Sequence, residues 1–142
     1  MAPTETEPIA LSTIGIRGVT ALLLGIAVNA TIVWVALQLP PVEPFGPLSY
    51  GPVLFLTGLG TVAATAVYGL ITRVWPTPDD LYVRIAILAL LGSFLPTLGI
   101  LYADPTATVS AVIVLLVMHV TTALICIGLL TDRYSPIGTH AA

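Results

Sequence analysis

The sequence has little charge. Of its 142 residues only 8% are Asp, Glu, Lys or Arg, and lysine is absent. An ordinary soluble domain carries about 25% charged residues. This number of charges is too small to cover a water-facing surface. The sequence therefore excludes a soluble globular domain and predicts that the protein lies in the lipid bilayer. The net charge of −3 and the lack of a basic cluster also argue against a nucleic-acid partner.

Residues that commonly bind metals or do chemistry are also scarce. Cys126 is the single cysteine, so it cannot form a disulfide within the chain. The two histidines, His119 and His140, do not stand at metal-site spacing from it. No nucleophile–base pair, phosphate-binding loop or pair of carboxylates in a plausible pocket is present. The sequence therefore predicts a protein that is not an enzyme and that has no cofactor or metal.

The sequence contains long apolar runs, and 57% of its residues are hydrophobic. A transmembrane helix needs about 20 mostly apolar residues. Four stretches qualify, at about 14–39, 52–75, 83–102 and 107–130. A spanning segment must satisfy its backbone hydrogen bonds internally, which predicts helices. The expected fold is all-α, a single transmembrane domain over residues 14–130 between tails at 1–13 and 131–142.

Prolines and capping residues mark the expected helix starts. Pro52, Pro78 and Pro105 stand where a first helical residue would lie, a position that lacks an intrahelical N–H partner anyway. Thr77 and Asp104 directly precede two of these prolines and can cap the free amides. These signals agree with the apolar runs without depending on them.

The arginines predict the orientation. With four spans, all of them fall on one side of the membrane: Arg17, Arg73, Arg84 and Arg133. The other two loops contain no arginine or lysine, and their only charged residues are Glu43 and Asp104. Positive charge is retained in the cytoplasm. We expect a multi-pass protein of the cell membrane, a bundle of four antiparallel transmembrane helices with cytoplasmic N and C termini.

The second span carries a stripe of small residues. Thr57, Thr61, Thr65 and Gly69 recur every four residues and share one helix face. Such stripes are the usual contact between helices in membranes. The stripe predicts a packing seam against another helix of the bundle or a second copy, and a substrate path is the alternative.

Polar or irregular residues fall at similar depth in all four spans. The candidate intramembrane polar layer consists of Asn29, Thr61, Ser93, Thr97, His119 and Thr122. Pro96 should kink the third span, where Ser93 and Thr97 can bond the freed carbonyl groups. The kink is expected to be a fixed bend, with a gate as the alternative.

His119 has three interpretations. It can make an interhelical hydrogen bond to Asn29, to Thr122 or to a threonine of the second span, because a neutral imidazole both donates and accepts. It can serve a proton or solute path, since an ionisable residue inside a membrane is functional by default. It can ligate haem, but only across a dimer, because His140 lies in the tail. The structural bond is the favoured interpretation, since no Asp, Glu, Lys or Arg accompanies His119 in a span core.

The third and fourth spans, "RIAILALLGSFLPTLGILY" and "VIVLLVMHVTTALICIGLL", share cues with a known family. The cues are Pro96 in the middle of the third span and the pair Met118 and His119 in the fourth. These spans resemble an uncharacterised family of small four-helix integral membrane proteins. The resemblance implies a four-helix topology and no known activity.

Two functional hypotheses follow. The first is a non-catalytic membrane protein that acts through helix contacts, as a homo-oligomer or as an accessory subunit among other membrane subunits. The small-residue stripe and the short loops favour it. The second is a small channel or transporter that uses the polar layer around Asn29 and His119.

Overall fold

The computed structural model describes residues 9–39, 42, 45–132 and 134. They form four helices, α1 (Leu11–Ala36), α2 (Tyr50–Val74), α3 (Pro78–Ala103) and α4 (Val109–Leu130). Each helix is long and apolar enough to cross a membrane. Apart from residues 9–13, 131, 132 and 134, the expected tails lie outside the described residues, as does Arg133. Within the described residues the fold is all-α, as expected, and indicates a multi-pass membrane protein.

The first helix is displaced relative to the apolar run. α1 begins at Leu11, three residues inside the expected tail, and ends at Ala36 rather than Leu39. Pro40 explains the early end, because a residue before proline avoids helical geometry and the chain leaves the helix beforehand. The shift matters for Arg17, which lies in the second turn of α1 instead of at its start.

The other helices begin and end close to the prolines. α2 begins at Tyr50, so Pro52 lies in its first turn, and Trp75 is extended because Pro76 follows it. α3 begins at Pro78, as expected, but Thr77 makes no side-chain cap bond.

The start of α4 differs from the expectation based on Pro105. Thr108 is its N-cap, with its side-chain hydroxyl accepting a 3.2 Å bond from the Ala111 amide. Asp104 instead closes the preceding turn, accepting from the Thr106 amide at 2.9 Å and hydroxyl at 2.6 Å. These bonds lower the pKa of the Asp104 carboxyl. Because the Asp104 carboxylate is used in this turn, it does not cap a helix that starts at Pro105. α4 therefore starts later, at Val109.

The four helices are packed unequally. α1 has extensive contacts with α2 and with α4, and α3 packs mainly on α4. α2 and α3 make few contacts, and α1 and α3 make none. Only Tyr82 and Thr97 of α3 are buried. α3 is therefore the least covered helix of the bundle.

The interior has two apolar clusters. The Phe45 cluster contains Val33, Ala36, Val42, Phe45, Leu48, Val53, Ala111, Leu115 and Met118. The Tyr82 cluster contains Ile14, Tyr68, Ile71, Tyr82, Cys126 and Leu130. On α1, α2 and α4, polar residues lie between the two clusters. Many large apolar side chains outside these clusters are exposed on the bundle surface, which suits a lipid environment.

The threonine stripe of α2 packs on glycines of α1. A Cβ atom built on Gly18 would lie 2.5 Å from Thr65 Cγ2, and one on Gly25 would lie 3.4 Å from Thr57 Cγ2. Gly69, at the end of the stripe, has Ile14 as its neighbour. The stripe therefore serves as a packing seam within the bundle, and only glycine at position 18 allows this approach of the two helices.

Candidate functional site

Asn29 is the centre of a hydrogen-bond network that joins three helices. Its Nδ2 donates to Thr57 Oγ1 of α2 at 2.8 Å and to Thr122 Oγ1 of α4 at 2.9 Å. Its Oδ1 lies 3.2 Å from Thr121 Oγ1, whose single proton can also go to the Met118 carbonyl at 3.0 Å. Asn29 is only 2% exposed, and both of its amide protons are used in bonds to other helices. Bonds of this kind contribute about 0.6 to 2 kcal/mol each in membranes, so the network ties α1, α2 and α4 together.

The remaining threonines of the seam bond to their own helix. Thr61 donates to the Thr57 carbonyl and Thr65 donates to the Thr61 carbonyl, both at 2.8 Å. This satisfies their hydroxyl protons, and the Cγ2 methyl of Thr65 faces Gly18 of α1. Thr61, which was expected in the polar layer, lies next to the Asn29 network and is 1% exposed.

Ser93 and Thr97 lie on α3, across from the network. Ser93 Oγ donates to the Leu90 carbonyl at 2.6 Å, and Thr97 Oγ1 donates to the Ser93 carbonyl at 2.8 Å. Neither hydroxyl bonds the carbonyl of Gly92, the group that Pro96 leaves without an amide partner. These two hydroxyls were expected to bond the carbonyl freed by Pro96, but they bond the carbonyls of Leu90 and Ser93 instead.

Among the described residues His119 has no interhelical hydrogen-bond partner, whereas the favoured interpretation expected one. Its Nδ1 lies 2.7 Å from the carbonyl oxygen of Leu115, one turn back on α4. A carbonyl only accepts, so Nδ1 carries the proton of this bond, and in the neutral ring Nε2 is an acceptor. Asn29, which was expected as a partner, uses Thr57, Thr121 and Thr122 instead. His119 is half-buried and faces a cavity.

The cavity lies where α2 and α3 stand apart. Its volume is about 760 Å³, within the usual range for ligand sites. α2, α3 and α4 supply its walls, with Asn29 of α1 at its base. Five of the six residues expected in the polar layer line it: Asn29, Ser93, Thr97, His119 and Thr122. The sequence indicated that these residues share one depth, but not that a cavity connects them.

Tyr82 lines the same cavity near one end of the bundle. Its side chain is 2% exposed and its ring meets that of Tyr68 edge-on, with 5.0 Å between centroids. Among the described residues, its hydroxyl has no hydrogen-bond partner. A buried hydroxyl without a partner costs about 1 to 3 kcal/mol. Nothing in the sequence marked Tyr82 as more than an interfacial aromatic residue.

Charged residues gather beside Tyr68, at the same end of the bundle. Arg17 is completely buried, donates to the Leu130 carbonyl at 3.1 Å and pairs with Asp132 Oδ1 at 2.7 Å. It thereby caps the carboxyl end of α4, where carbonyls lack helical partners and cations are favoured. Tyr68 donates to Asp79 Oδ1 at 2.8 Å, which links α2 to α3. Arg17 is thus a structural ion-pair residue as well as an orientation signal.

The groups that line the cavity can hydrogen-bond a ligand. Within the described ranges, no group of three or more His, Cys, Asp or Glu side chains could hold a metal ion. The cavity lining combines mostly apolar side chains with amide, hydroxyl and imidazole groups. Such a lining suits an apolar ligand that is oriented by a few hydrogen bonds.

No family model, curated protein or solved structure matches this chain. The resemblance of the third and fourth spans to small four-helix membrane proteins therefore stays a prediction.

Proposed function

We propose that this protein is a non-catalytic, multi-pass membrane protein that acts through helix contacts, and that α3 meets a second copy of the chain. The observation that carries the proposal is the poor coverage of α3 by its own bundle. Of its residues only Tyr82 and Thr97 are buried, whereas α1 buries residues along its whole length. A helix that is little packed within its bundle is the one most available to another chain.

The outer face of α3, defined by Leu88, Gly92, Leu95 and Gly99, has the composition of a membrane helix contact. Leu88 is 68% exposed and Leu95 is 75% exposed. A Cβ at Gly92 or Gly99 would have no neighbouring atom within 4 Å. Each glycine costs about 1 kcal/mol relative to alanine inside a helix. A close helix from outside the bundle would use the space that these glycines leave.

A second copy suits this face better than an unrelated subunit does. Large and small residues alternate along it, so the leucines of one copy can fill the gaps above the glycines of the other. A two-fold contact brings the same surface of both chains together. An accessory subunit of a larger complex remains the other form of this proposal, and cross-linking separates the two.

The proposed placement is the cell membrane, with antiparallel helices and both termini in the cytoplasm. It rests on the arginines, which favour the cytoplasmic side. The ion pair of Arg17, near the start of α1, with Asp132, after the end of α4, supports placing both termini on one side.

Cysteine cross-linking in native membranes tests the α3 contact. Cys126 is the single cysteine, so a Cys126→Ala background is free of thiols. Leu95→Cys in this background should give a disulfide-linked dimer on mild oxidation. Ala27→Cys is the matched control, because it is exposed on α1 at a similar distance from the helix start.

A dimer from Ala27→Cys alone, or from neither variant, would contradict contact between copies through α3. A cross-link from Leu95→Cys to a different polypeptide would replace the second copy with an accessory-subunit role.

The second candidate function is a small channel or transporter. It is favoured by one observation, the polar groups of Asn29, His119 and Thr122 that line the cavity midway along the helices. Purified protein in liposomes should then carry ions or protons, and His119→Asn should change the pH dependence of the flux. No flux across a range of ions and pH values would remove this candidate.

A further inference from the structure

We infer that the cavity between α2, α3 and α4 is a binding site for a neutral long-chain lipid that carries a hydroxyl group, a long-chain alcohol in chemical class. This site is separate from the outer face of α3, so the inference does not depend on contact between copies. The inference rests on the length, volume, charge and hydrogen-bonding groups of the cavity.

The cavity is long. On α3 it extends from Tyr82 to Ile100, which corresponds to about 27 Å at ~1.5 Å per residue. The hydrocarbon core of a bilayer is about 30 Å thick. The cavity thus follows most of the depth of the core, as an extended chain would, rather than forming a compact pocket.

Small residues of two helices line the cavity, whose volume is about 760 Å³. Gly60, Ala63 and Ala64 of α2 keep it open, and Ala86 and Ala89 do the same from α3. An extended hydrocarbon chain is thin enough to lie between these small residues.

The lining selects a neutral ligand. Among the described residues that line the cavity there is no Asp, Glu, Lys or Arg. A charged headgroup would remain without a counter-charge in an apolar setting, which is strongly unfavourable. The ligand is therefore expected to be uncharged and mostly hydrocarbon.

The hydrogen bonding of His119 predicts which polar group the ligand should carry. Its Nδ1 proton is used by the Leu115 carbonyl, so Nε2 of the neutral ring accepts a bond. A ligand carbonyl or ether could not donate to Nε2, whereas a hydroxyl could. Thr122 lies on the same face of α4 about one turn away and also lines the cavity, so it adds a second hydroxyl beside this acceptor.

Tyr82 supplies independent support for a ligand. Its side chain lines the cavity and is nine-tenths buried or more, and its hydroxyl lacks a partner among the described residues. Native proteins bond almost all of their buried polar groups. Water that enters beside the ligand would satisfy this hydroxyl.

Photolabelling of the purified full chain in lipid nanodiscs tests the inference. The probe is hexadecanol with a photoreactive diazirine in its chain, and labelled peptides are mapped by mass spectrometry. Labels should fall on cavity-lining segments of α2, α3 and α4. Excess hexadecanol and excess geranylgeraniol, added separately, should compete, and the stronger competitor shows whether the site prefers a straight alkyl or an isoprenoid chain. Failure of both to compete would overturn the inference.

Two glycine variants provide the steric control. Gly60 lines the cavity and Gly15 lies on the exposed side of α1, and a Cβ at either position meets no atom within 4 Å. Gly60→Leu should lower labelling at least fivefold, since it fills the cavity. Gly15→Leu should leave labelling unchanged. Equal labelling of the two variants would overturn the site.

The role of His119 has its own readout. Hexadecyl methyl ether cannot donate a hydrogen bond, so it should compete less well than hexadecanol by roughly three- to tenfold. His119→Phe should abolish this difference while leaving competition by the ether unchanged. If the ether competes as well as the alcohol in the unmodified protein, His119 does not select a hydroxyl group and that part of the inference fails.

Discussion

Asn29 is a single side chain that forms hydrogen bonds to two other helices. It reaches Thr57 on α2 and both Thr121 and Thr122 on α4. In water such bonds would compete with solvent, but in the hydrocarbon core the alternative is an unsatisfied amide. Asn29 therefore fixes how α1 is rotated relative to its two neighbours.

Asn29→Ala should lower the free energy of unfolding by about 2 kcal/mol, since several interhelical bonds are lost and each has a modest net value. Reversible unfolding in sodium dodecyl sulfate, followed by tryptophan fluorescence, measures the change. Thr31→Ala is the control, because Thr31 is exposed and bonds only to the Ala27 carbonyl of its own helix. An equal effect of the two substitutions would contradict a bridging role for Asn29.

The roles of Asn29 and His119 could be predicted only in part. The sequence indicates that both lie far inside apolar runs, because depth follows from position along a helix. It does not give the rotation of each helix about its axis. His119 also has a competing acceptor within its own helix, the carbonyl of Leu115, and this local bond is made instead of a contact with Asn29.

Between helices, the contact of α1 with α2 depends on a stripe of small residues that faces the threonine seam. Gly18 faces Thr65 and Gly25 faces Thr57. They belong to a set of buried α1 residues that recur every three or four positions: Gly18, Ala21, Gly25, Asn29, Val33 and Ala36. This spacing is visible in the sequence and could have identified the partner face of α2. The number and type of the helices were predictable from apolar length alone, whereas their ends were shifted by Pro40, Pro76 and the turn at Asp104.

Two glycines of α1 should respond in opposite ways to alanine. Gly18→Ala should destabilise the bundle by about 1 to 3 kcal/mol, because the new methyl group would overlap Thr65. Gly15→Ala should stabilise it by up to about 1 kcal/mol, because its space is open and alanine favours helix. The same unfolding assay measures both variants.

Adding Thr65→Ala to Gly18→Ala should recover part of the loss, since it removes the atoms nearest to the new methyl group. A neutral Gly18→Ala variant would show that α1 and α2 do not approach as closely as described.

For the whole molecule, the sequence was most informative about surroundings and least informative about the interior space. Low charge and four apolar runs predict a chain that lies in lipid. The gap between α2 and α3 could not be predicted, because it depends on which pairs of helices pack closely. Small residues in both helices permit close packing, yet here they border a cavity.

The proposed orientation predicts which loops an impermeant maleimide can reach in intact cells. In the Cys126→Ala background, Ser49→Cys, before α2, should be labelled from outside. Thr77→Cys, between α2 and α3, should be labelled only after the membrane is opened, since positive charge keeps Arg73 and Arg84 inside. The reverse pattern would contradict cytoplasmic termini.

The central claim is that this protein works through contact with another membrane chain, and its intact mass tests this most directly. The protein would be extracted from native membranes in mild detergent and weighed by native mass spectrometry. We predict twice the mass of the 14.8 kDa chain, with or without bound lipid. A single copy with no other polypeptide attached, under conditions that preserve the fold, would contradict the claim.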